Sequence, residues 1–157
     1  MKQRFVLLIG GLIMFTLILG SVVPSTATAA SSSRPAKGTY TLDYDILRAE
    51  DNSVSMANDY FEKPAKLYVT DSKMTMQITI NHSTWTTKFK VKYKGQIVDS
   101  TVIKTNAAKD TRIVQFPIAD LSTPMISQIH VTVPSYNYDH DYTIRFKPNL
   151  KSVKKVN

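Results

Sequence analysis

The chain has 157 residues, of which 43% are hydrophobic, and a formal charge of +8 from 20 basic and 12 acidic residues. It contains no cysteine, which excludes a disulfide framework, a thiolate metal site and a cysteine nucleophile. The sequence also shows no nucleophile–base pair, and its five glycines form no phosphate-cradling loop. An enzyme is therefore not expected.

The first 29 residues have the features of a secretory signal peptide. Lys2 and Arg4 precede an apolar run from Phe5 to Leu19, and Ala27-Thr28-Ala29 is a small-x-small cleavage pattern. An uncleaved anchor is the alternative, because the apolar stretch continues through Val22 and Val23 and approaches spanning length. The cleavage pattern favours export, and we expect an extracellular protein.

The chain that follows the leader has three predicted parts. We expect residues 30–36 to be a linker, residues 37–147 to form one folded domain, and residues 148–157 to be a basic tail that frays. Loss of the two basic residues of the leader lowers the formal charge by two. The remaining excess is compatible with an anionic polymer as partner.

The lysines within the domain argue against that partner. Lys88, Lys90, Lys92 and Lys94 alternate with apolar residues, which is typical of the solvated face of a half-buried strand. We therefore expect no nucleic-acid partner.

Most of the domain alternates apolar and polar residues with a period of two, which predicts strands with one buried face. Breakers between the runs, the longest at residues 134–141, give the spacing of an antiparallel β-sandwich. The residues expected on the buried faces are Tyr40, Leu42, Tyr44 and Ile46; Met74, Met76, Ile78 and Ile80; Trp85, Thr87, Phe89, Val91 and Tyr93; Ile129, Val131 and Val133; and Tyr142, Ile144 and Phe146.

One segment departs from the alternation. Residues 52–61 read Asn-Ser-Val-Ser-Met-Ala-Asn-Asp-Tyr-Phe, and Ser53 is placed to cap one or two helical turns. Pro64 then ends any helix. We expect a short helix after the first strand.

Two tyrosines are four residues apart at the last breaker, residues 134–141: Tyr138 lies within it, and Tyr142 begins the run that follows. Tyrosine is one of the few side chains that serve as an axial ligand to haem iron. On spacing alone, packing at the end of a hairpin is the more common role. His140 lies between them and is expected in a solvated loop, while His130 is out of phase with Val131 and His82 falls in a turn; together they form no zinc set.

Four motifs follow one another along the chain. They are Ser55-Met-Ala-Asn-Asp-Tyr60 with the residues through Leu67, Asn81-His-Ser-Thr-Trp85, Arg112-Ile-Val-Gln-Phe-Pro-Ile-Ala-Asp-Leu121, and Val133-Pro followed by Tyr138-x-x-x-Tyr142. In this order they resemble the NEAT (near-iron transporter) domain, and the resemblance covers residues 36–146.

The resemblance implies an all-β, immunoglobulin-like antiparallel sandwich that binds ferric haem. Tyr138 matches the residue that ligates the iron, and Tyr142 matches its hydrogen-bonding partner. Ser55 matches a residue that binds a haem propionate.

Other matched residues would surround the haem. Met56 and Tyr60 match residues that cover its other face, by contact rather than ligation. Trp85 matches an aromatic wall, although core packing is an equally good explanation. Val131 and Val133 are expected to floor the pocket.

The function that the resemblance implies is that of a haem carrier, or haemophore, in iron acquisition. The resemblance also implies an extracellular protein of the Gram-positive type, secreted or associated with the cell wall. Haemoglobin is a candidate donor, and other NEAT-domain or surface haem receptors are candidate acceptors. The alternative is an immunoglobulin-like adhesion or haemoglobin-binding module that does not ligate haem.

Overall fold

The computed structural model describes residues 34–156, and the predicted signal peptide and the first part of the linker lie outside that range. No helix in this range is long and apolar enough to cross a membrane. The strands are β1 (Gly38–Leu42), β2 (Tyr44–Arg48), β3 (Phe61–Val69), β4 (Met74–Asn81), β5 (Thr86–Tyr93), β6 (Gln96–Asp99), β7 (Thr101–Asn106), β8 (Thr111–Ile118), β9 (Met125–Val133), β10 (Tyr138–Pro148) and β11 (Lys154–Val156). Four 3₁₀ helices join them: Met56–Tyr60, Ala107–Lys109, Pro134–Tyr136 and Leu150–Ser152.

The strands form two sheets, and every pairing within them is antiparallel. The larger sheet has the order β11-β1-β3-β4-β8-β7, and the smaller one has the order β2-β10-β9-β5-β6. Period-two alternation gives each sheet one apolar face. The apolar faces of both sheets are buried in the core. This arrangement confirms the prediction of an all-β, immunoglobulin-like sandwich.

Aromatic rings connect the two sheets across the core. Phe116 of β8 lies 5.2 Å from Phe89 of β5 and 5.7 Å from Phe146 of β10, measured between ring centroids. Phe146 stacks on Tyr44 at 4.5 Å. Because aromatic side chains bury the largest apolar areas, this cluster holds β10, the strand that carries both tyrosines, against the opposite sheet.

The first alternating run is two strands, not one. It breaks at Asp43, whose N–H donates to Ser152 Oγ (2.7 Å) and whose carbonyl accepts from Asn149 N–H (2.8 Å). With its backbone groups bonded to the tail, Asp43 leaves the ladder, and the chain crosses from β1 in one sheet to β2 in the other. The helix at Met56–Tyr60 therefore follows the second strand.

A bulge changes the predicted inward set of β5. Thr86 pairs with Val131 and Lys88 with His130, so Thr87 is an extra residue. Thr86 is buried and Thr87 exposed, the reverse of the predicted parity, because one extra residue inverts the alternation. Arg112 donates to the carbonyls of both threonines.

The prediction that the tail is frayed is wrong. Leu150–Ser152 forms a 3₁₀ turn, and Lys154–Val156 pairs with β1, with Thr41 opposite Lys154 and Thr39 opposite Val156. The edge of β1 would otherwise expose unpaired backbone groups. The backbone ladder therefore holds these residues despite their charge.

We expect Phe116→Ala to lower the free energy of unfolding by about 3–5 kcal/mol, because it leaves a cavity between the sheets. Urea denaturation measures the change. Val102→Ala on the exposed β7 is the control and should change stability by less than about 0.5 kcal/mol. Equal effects of the two substitutions would show that Phe116 does not join the sheets.

Candidate haem-binding site

A tight turn places both tyrosines in one strand. Pro134–Tyr136 forms a 3₁₀ turn, and Asn137, at φ 48°, closes it with its N–H donating to Pro134 O (3.1 Å). Asparagine tolerates this left-handed conformation better than most residues. The breaker predicted at residues 134–141 is too long, because the turn ends at Asn137 and β10 begins at Tyr138.

Tyr138 and Tyr142 point to the same side of β10, and their hydroxyl groups are hydrogen-bonded to each other. Ile144 and Phe146, further along the same face, are buried in the core. The tyrosines are 37% and 42% exposed. The inward face of β10 thus continues past the core and presents two phenol oxygens to solvent.

The hydroxyl pair affects ionisation. The hydrogen bond with Tyr142 raises the pKa of Tyr138 above the ordinary tyrosine value, and loss of solvent contact acts in the same direction. Tyr138 is therefore a neutral phenol at neutral pH in the ligand-free protein. A cation bound at its oxygen has to displace that proton.

His140 is in the strand, and its prediction as a loop residue is wrong. Its ring lies between the tyrosines, 4.6 Å from the Tyr138 ring and 6.3 Å from the Tyr142 ring. The three side chains share one face because they are two residues apart. His130 lies on the opposite face, as predicted, and bonds to Asp139 and Asp141.

The 3₁₀ helix Met56–Tyr60, which we call the lip helix, is capped by Ser55. Ser55 Oγ accepts the N–H of Ala57 (3.2 Å), so the predicted cap at Ser53 is wrong; Ser53 instead bonds to Asp51. A hydroxyl that accepts one bond still has a proton to donate. Ser55 therefore remains able to bind an anionic group.

The lip helix is anchored to β2, the neighbour of β10. Asn58 Oδ1 accepts the N–H of Ile46 (3.1 Å), and the N–H of Ser55 donates to the Ile46 carbonyl (2.8 Å). Arg145 of β10 donates to the carbonyl of Arg48 (2.9 Å), in the strand that leads to the helix. Met56 is 91% exposed at the start of the helix.

A ring cluster joins the lip helix to the turn before β5. Tyr60 is half-buried and packs edge-on to His82 (5.6 Å), which stacks on Trp85 (4.7 Å). The Trp85 carbonyl accepts the N–H of Thr132 in β9 (2.8 Å). Trp85 is half-buried and outside the buried core, which favours a wall over core packing.

His82 and Asp110 are the residues that sequence reasoning missed. Asp110 Oδ1 accepts from Ser83 Oγ (3.1 Å) and Thr84 N–H (3.0 Å), and its Oδ2 accepts from Thr84 Oγ1 (2.9 Å). This carboxylate fixes the turn that presents His82. It is 26 residues from Thr84 and 27 residues from Ser83, and no short-range pattern signals such a contact.

Val131 and Val133 lie beside the tyrosine pair on β9. Val133 is opposite Tyr138 and Val131 opposite His140. Both valines are half-buried on the same face as the tyrosines. The two valines are in position to form the floor of a site. Val131 also packs against the hydrophobic core.

The donor set determines which ligands this site suits. In residues 34–156 no three His, Cys, Asp or Glu side chains come together to hold a metal ion. Phenol oxygens are hard donors that suit ferric iron. The exposed apolar surface of Tyr138, Tyr142 and Met56 suits a flat, apolar ligand, so the residues present fit ferric haem.

The fold and site define a class of protein: immunoglobulin-like sandwiches with a tyrosine pair on a terminal hairpin beside a short helix. The NEAT family model, described as the Iron Transport-associated domain, matches residues 33–149, and the chain belongs to this family.

Curated relatives share the matched region. Hemin/hemoglobin-binding protein 1 of Listeria monocytogenes is 40% identical over 119 residues, covering 74% of this chain and 56% of its own length. Iron-regulated surface determinant protein C of Staphylococcus aureus (strain MRSA252) is 33% identical over 145 residues, covering 88% of this chain and 59% of its own. The chain thus spans little more than half the length of these relatives.

Solved structures agree with the fold. The NEAT5 domain of IsdX2, a B. anthracis hemophore in complex with heme, has a TM-score of 0.72 and 30% identity over 74% of this chain and 98% of its own. A point mutant of the same domain with heme has a TM-score of 0.73 and 30% identity over 75% and 99%.

We expect Tyr142→Phe to lower the pKa of Tyr138 toward the ordinary value of about 10, because the hydrogen bond that raises it is lost. Because the pKa of Tyr138 is higher in the folded protein, its neutral phenol stabilises the folded state at pH values below the pKa of an unfolded tyrosine. This contribution to stability is lost as the pH rises through the pKa of the folded protein. NMR of ring-labelled tyrosine follows the titration. Tyr136→Phe is the control, and an unchanged Tyr138 titration in Tyr142→Phe would contradict this cause.

Proposed function

We propose that this chain binds ferric haem as cargo and carries it for iron acquisition. The observation that supports the proposal most is the pair of hydrogen-bonded hydroxyls of Tyr138 and Tyr142 on an exposed face. Packing alone does not require two phenols to meet outside the core. Relatives named for hemin and hemoglobin binding, and solved relatives in complex with heme, support the same assignment.

Tyr138 is the proposed iron ligand, and its geometry gives a role to each hydroxyl. Ferric iron favours the phenolate because an adjacent cation stabilises the charged form. The Tyr138 proton passes to solvent, to which this side chain is exposed, and the Tyr142 hydroxyl rotates from acceptor to donor toward the phenolate oxygen. A hydrogen bond of this kind fixes a ligand and tunes it.

Other residues hold the porphyrin in this proposal. Ser55 donates its free hydroxyl proton to a propionate, and Met56 and Tyr60 of the lip helix cover the face away from Tyr138. Met56 acts by contact, since a thioether is a poor partner for ferric iron.

The remaining surfaces complete the slot. Trp85 forms a side wall, held in place by its stack on His82. Val131 and Val133 form the floor on β9. All of these groups are apolar or aromatic, which favours a planar hydrophobic ligand.

A carrier, not an enzyme, is the role that fits. The ligand lies on an exposed rim, so the cargo can pass to another protein. A hard oxygen ligand binds ferric iron better than ferrous iron, so reduction favours release. The leader sequence supports an extracellular location, secreted or at the cell wall, as do relatives named as surface determinants.

We expect the purified domain to give a Soret band and the charge-transfer band of ferric tyrosinate when mixed with hemin. Tyr138→Ala should reduce haem retention far more than Tyr142→Ala, because only Tyr138 ligates the iron. Absorbance spectra and gel filtration measure both.

Tyr136→Ala, at the exposed turn, is the matched control for loss of an aromatic side chain. A wild-type spectrum without either band would refute haem binding. It would leave the alternative, an interaction module that does not ligate haem.

Haemoglobin is the proposed donor, and a NEAT-domain or surface haem receptor the proposed acceptor. Mixed with methaemoglobin, the wild type should acquire the tyrosinate band faster than haemoglobin loses haem spontaneously, because contact with the donor assists transfer. Stopped-flow absorbance measures the rate, with Tyr138→Ala as the control. A rate equal to spontaneous loss would mean passive scavenging.

A further inference from the structure

The tip of the β9–β10 hairpin has little core packing to hold it. The first six residues of β10, Tyr138–Thr143, are exposed, and burial begins at Ile144. The turn fixes the first rung, where Val133 is opposite Tyr138. In a strand whose register is weakly specified, a slip of one residue moves every side chain to the other face.

Four polar side chains bridge the two strands on the outer face of this same segment. Asp141 is directly opposite His130, and Asp139 is directly opposite Thr132. His130 Nδ1 lies 2.8 Å from Asp141 Oδ1, and His130 Nε2 lies 2.9 Å from Asp139 Oδ1. Thr132 Oγ1 donates to Asp139 Oδ1 (2.6 Å).

One imidazole therefore contacts both carboxylates. Each ring nitrogen lies within hydrogen-bond distance of a different carboxylate, so the imidazole sits between two like charges that share one face of the hairpin. The His130 side chain is only 21% exposed.

The carboxylates alternate with the site residues along β10. Asp139 follows Tyr138, and Asp141 precedes Tyr142. Because successive side chains point to opposite faces, a contact that fixes the two aspartates also fixes where the two phenols project.

We propose that His130 is a positioning residue for the tyrosine pair: its bonds to Asp139 and Asp141 hold the hairpin register in which the two hydroxyls meet. This inference rests on the proposed haem function, since its effect is read at the iron. It assigns no contact between His130 and haem.

The test compares three variants with the wild type, all loaded with ferric haem. We expect His130→Ala to lose haem to excess apomyoglobin roughly 10-fold faster, as is usual when a group that orients a metal ligand is removed. Its ferric tyrosinate band should shift or weaken. His130→Gln keeps one hydrogen-bond donor, so its rate of haem loss should lie between the rates of the wild type and of His130→Ala.

Adding Asp139→Asn and Asp141→Asn to His130→Ala removes the repulsion between the carboxylates. This triple variant should regain part of the lost haem retention. A packing role for the imidazole would give no such recovery.

Lys90→Ala is the matched control, because it removes an ion pair with Asp99 (3.3 Å) from the same sheet. The inference is overturned if His130→Ala loses haem at the rate of Lys90→Ala with an unchanged band. If His130→Ala does not fold by circular dichroism, His130→Gln decides by the same comparison. A wild type without the tyrosinate band refutes the proposed function first, and the inference with it.

Discussion

The antiparallel pairing of β9 with β10 is the constraint on which the site depends. It runs unbroken from Met125 opposite Phe146, deep in the core, to Val133 opposite Tyr138, beyond it. Core packing fixes the inner end of this ladder, and strand alternation transmits that orientation outward. The same face that buries Phe146 therefore presents Tyr138 and Tyr142. The site is an extension of the hydrophobic core, with phenols in place of aliphatic side chains.

The opposite side of the site depends on different forces. The lip helix is too short to be stable on its own, and it is held by backbone and amide hydrogen bonds to Ile46 of β2. The ring stack from Tyr60 through His82 to Trp85 connects it to the turn before β5. The candidate site thus combines the tyrosine hairpin with a short helix that is fixed by a few polar and aromatic contacts. In proteins, elements held in this way are the ones that open most readily.

Local patterns predicted most of the sandwich, and their failures have identifiable causes. Alternation correctly placed Leu42, Ile78 and Phe146 in the core, because burial imposes a period of two on every strand. It failed at Thr87 and Asp43, where backbone groups bond to Arg112 and to the tail, since distant partners leave no local signal. For the site, the motifs brought out Tyr138 and Tyr142. They gave no sign of His130 between two carboxylates, which depends on the pairing of β9 with β10. They also gave no sign of His82 stacking on Trp85, in a turn that the distant Asp110 fixes.

The pairing of β11 with β1 has a mechanical consequence. Thr39 is opposite Val156 in this antiparallel pair, so the chain enters and leaves the domain at the same end of two adjacent strands. Tension applied to the two ends would separate these strands one rung at a time, which is the weakest loading geometry for a ladder of hydrogen bonds. The tyrosine hairpin belongs to the other sheet and lies outside that first load path. Under force, the domain would lose β11 before the tyrosine hairpin is disturbed.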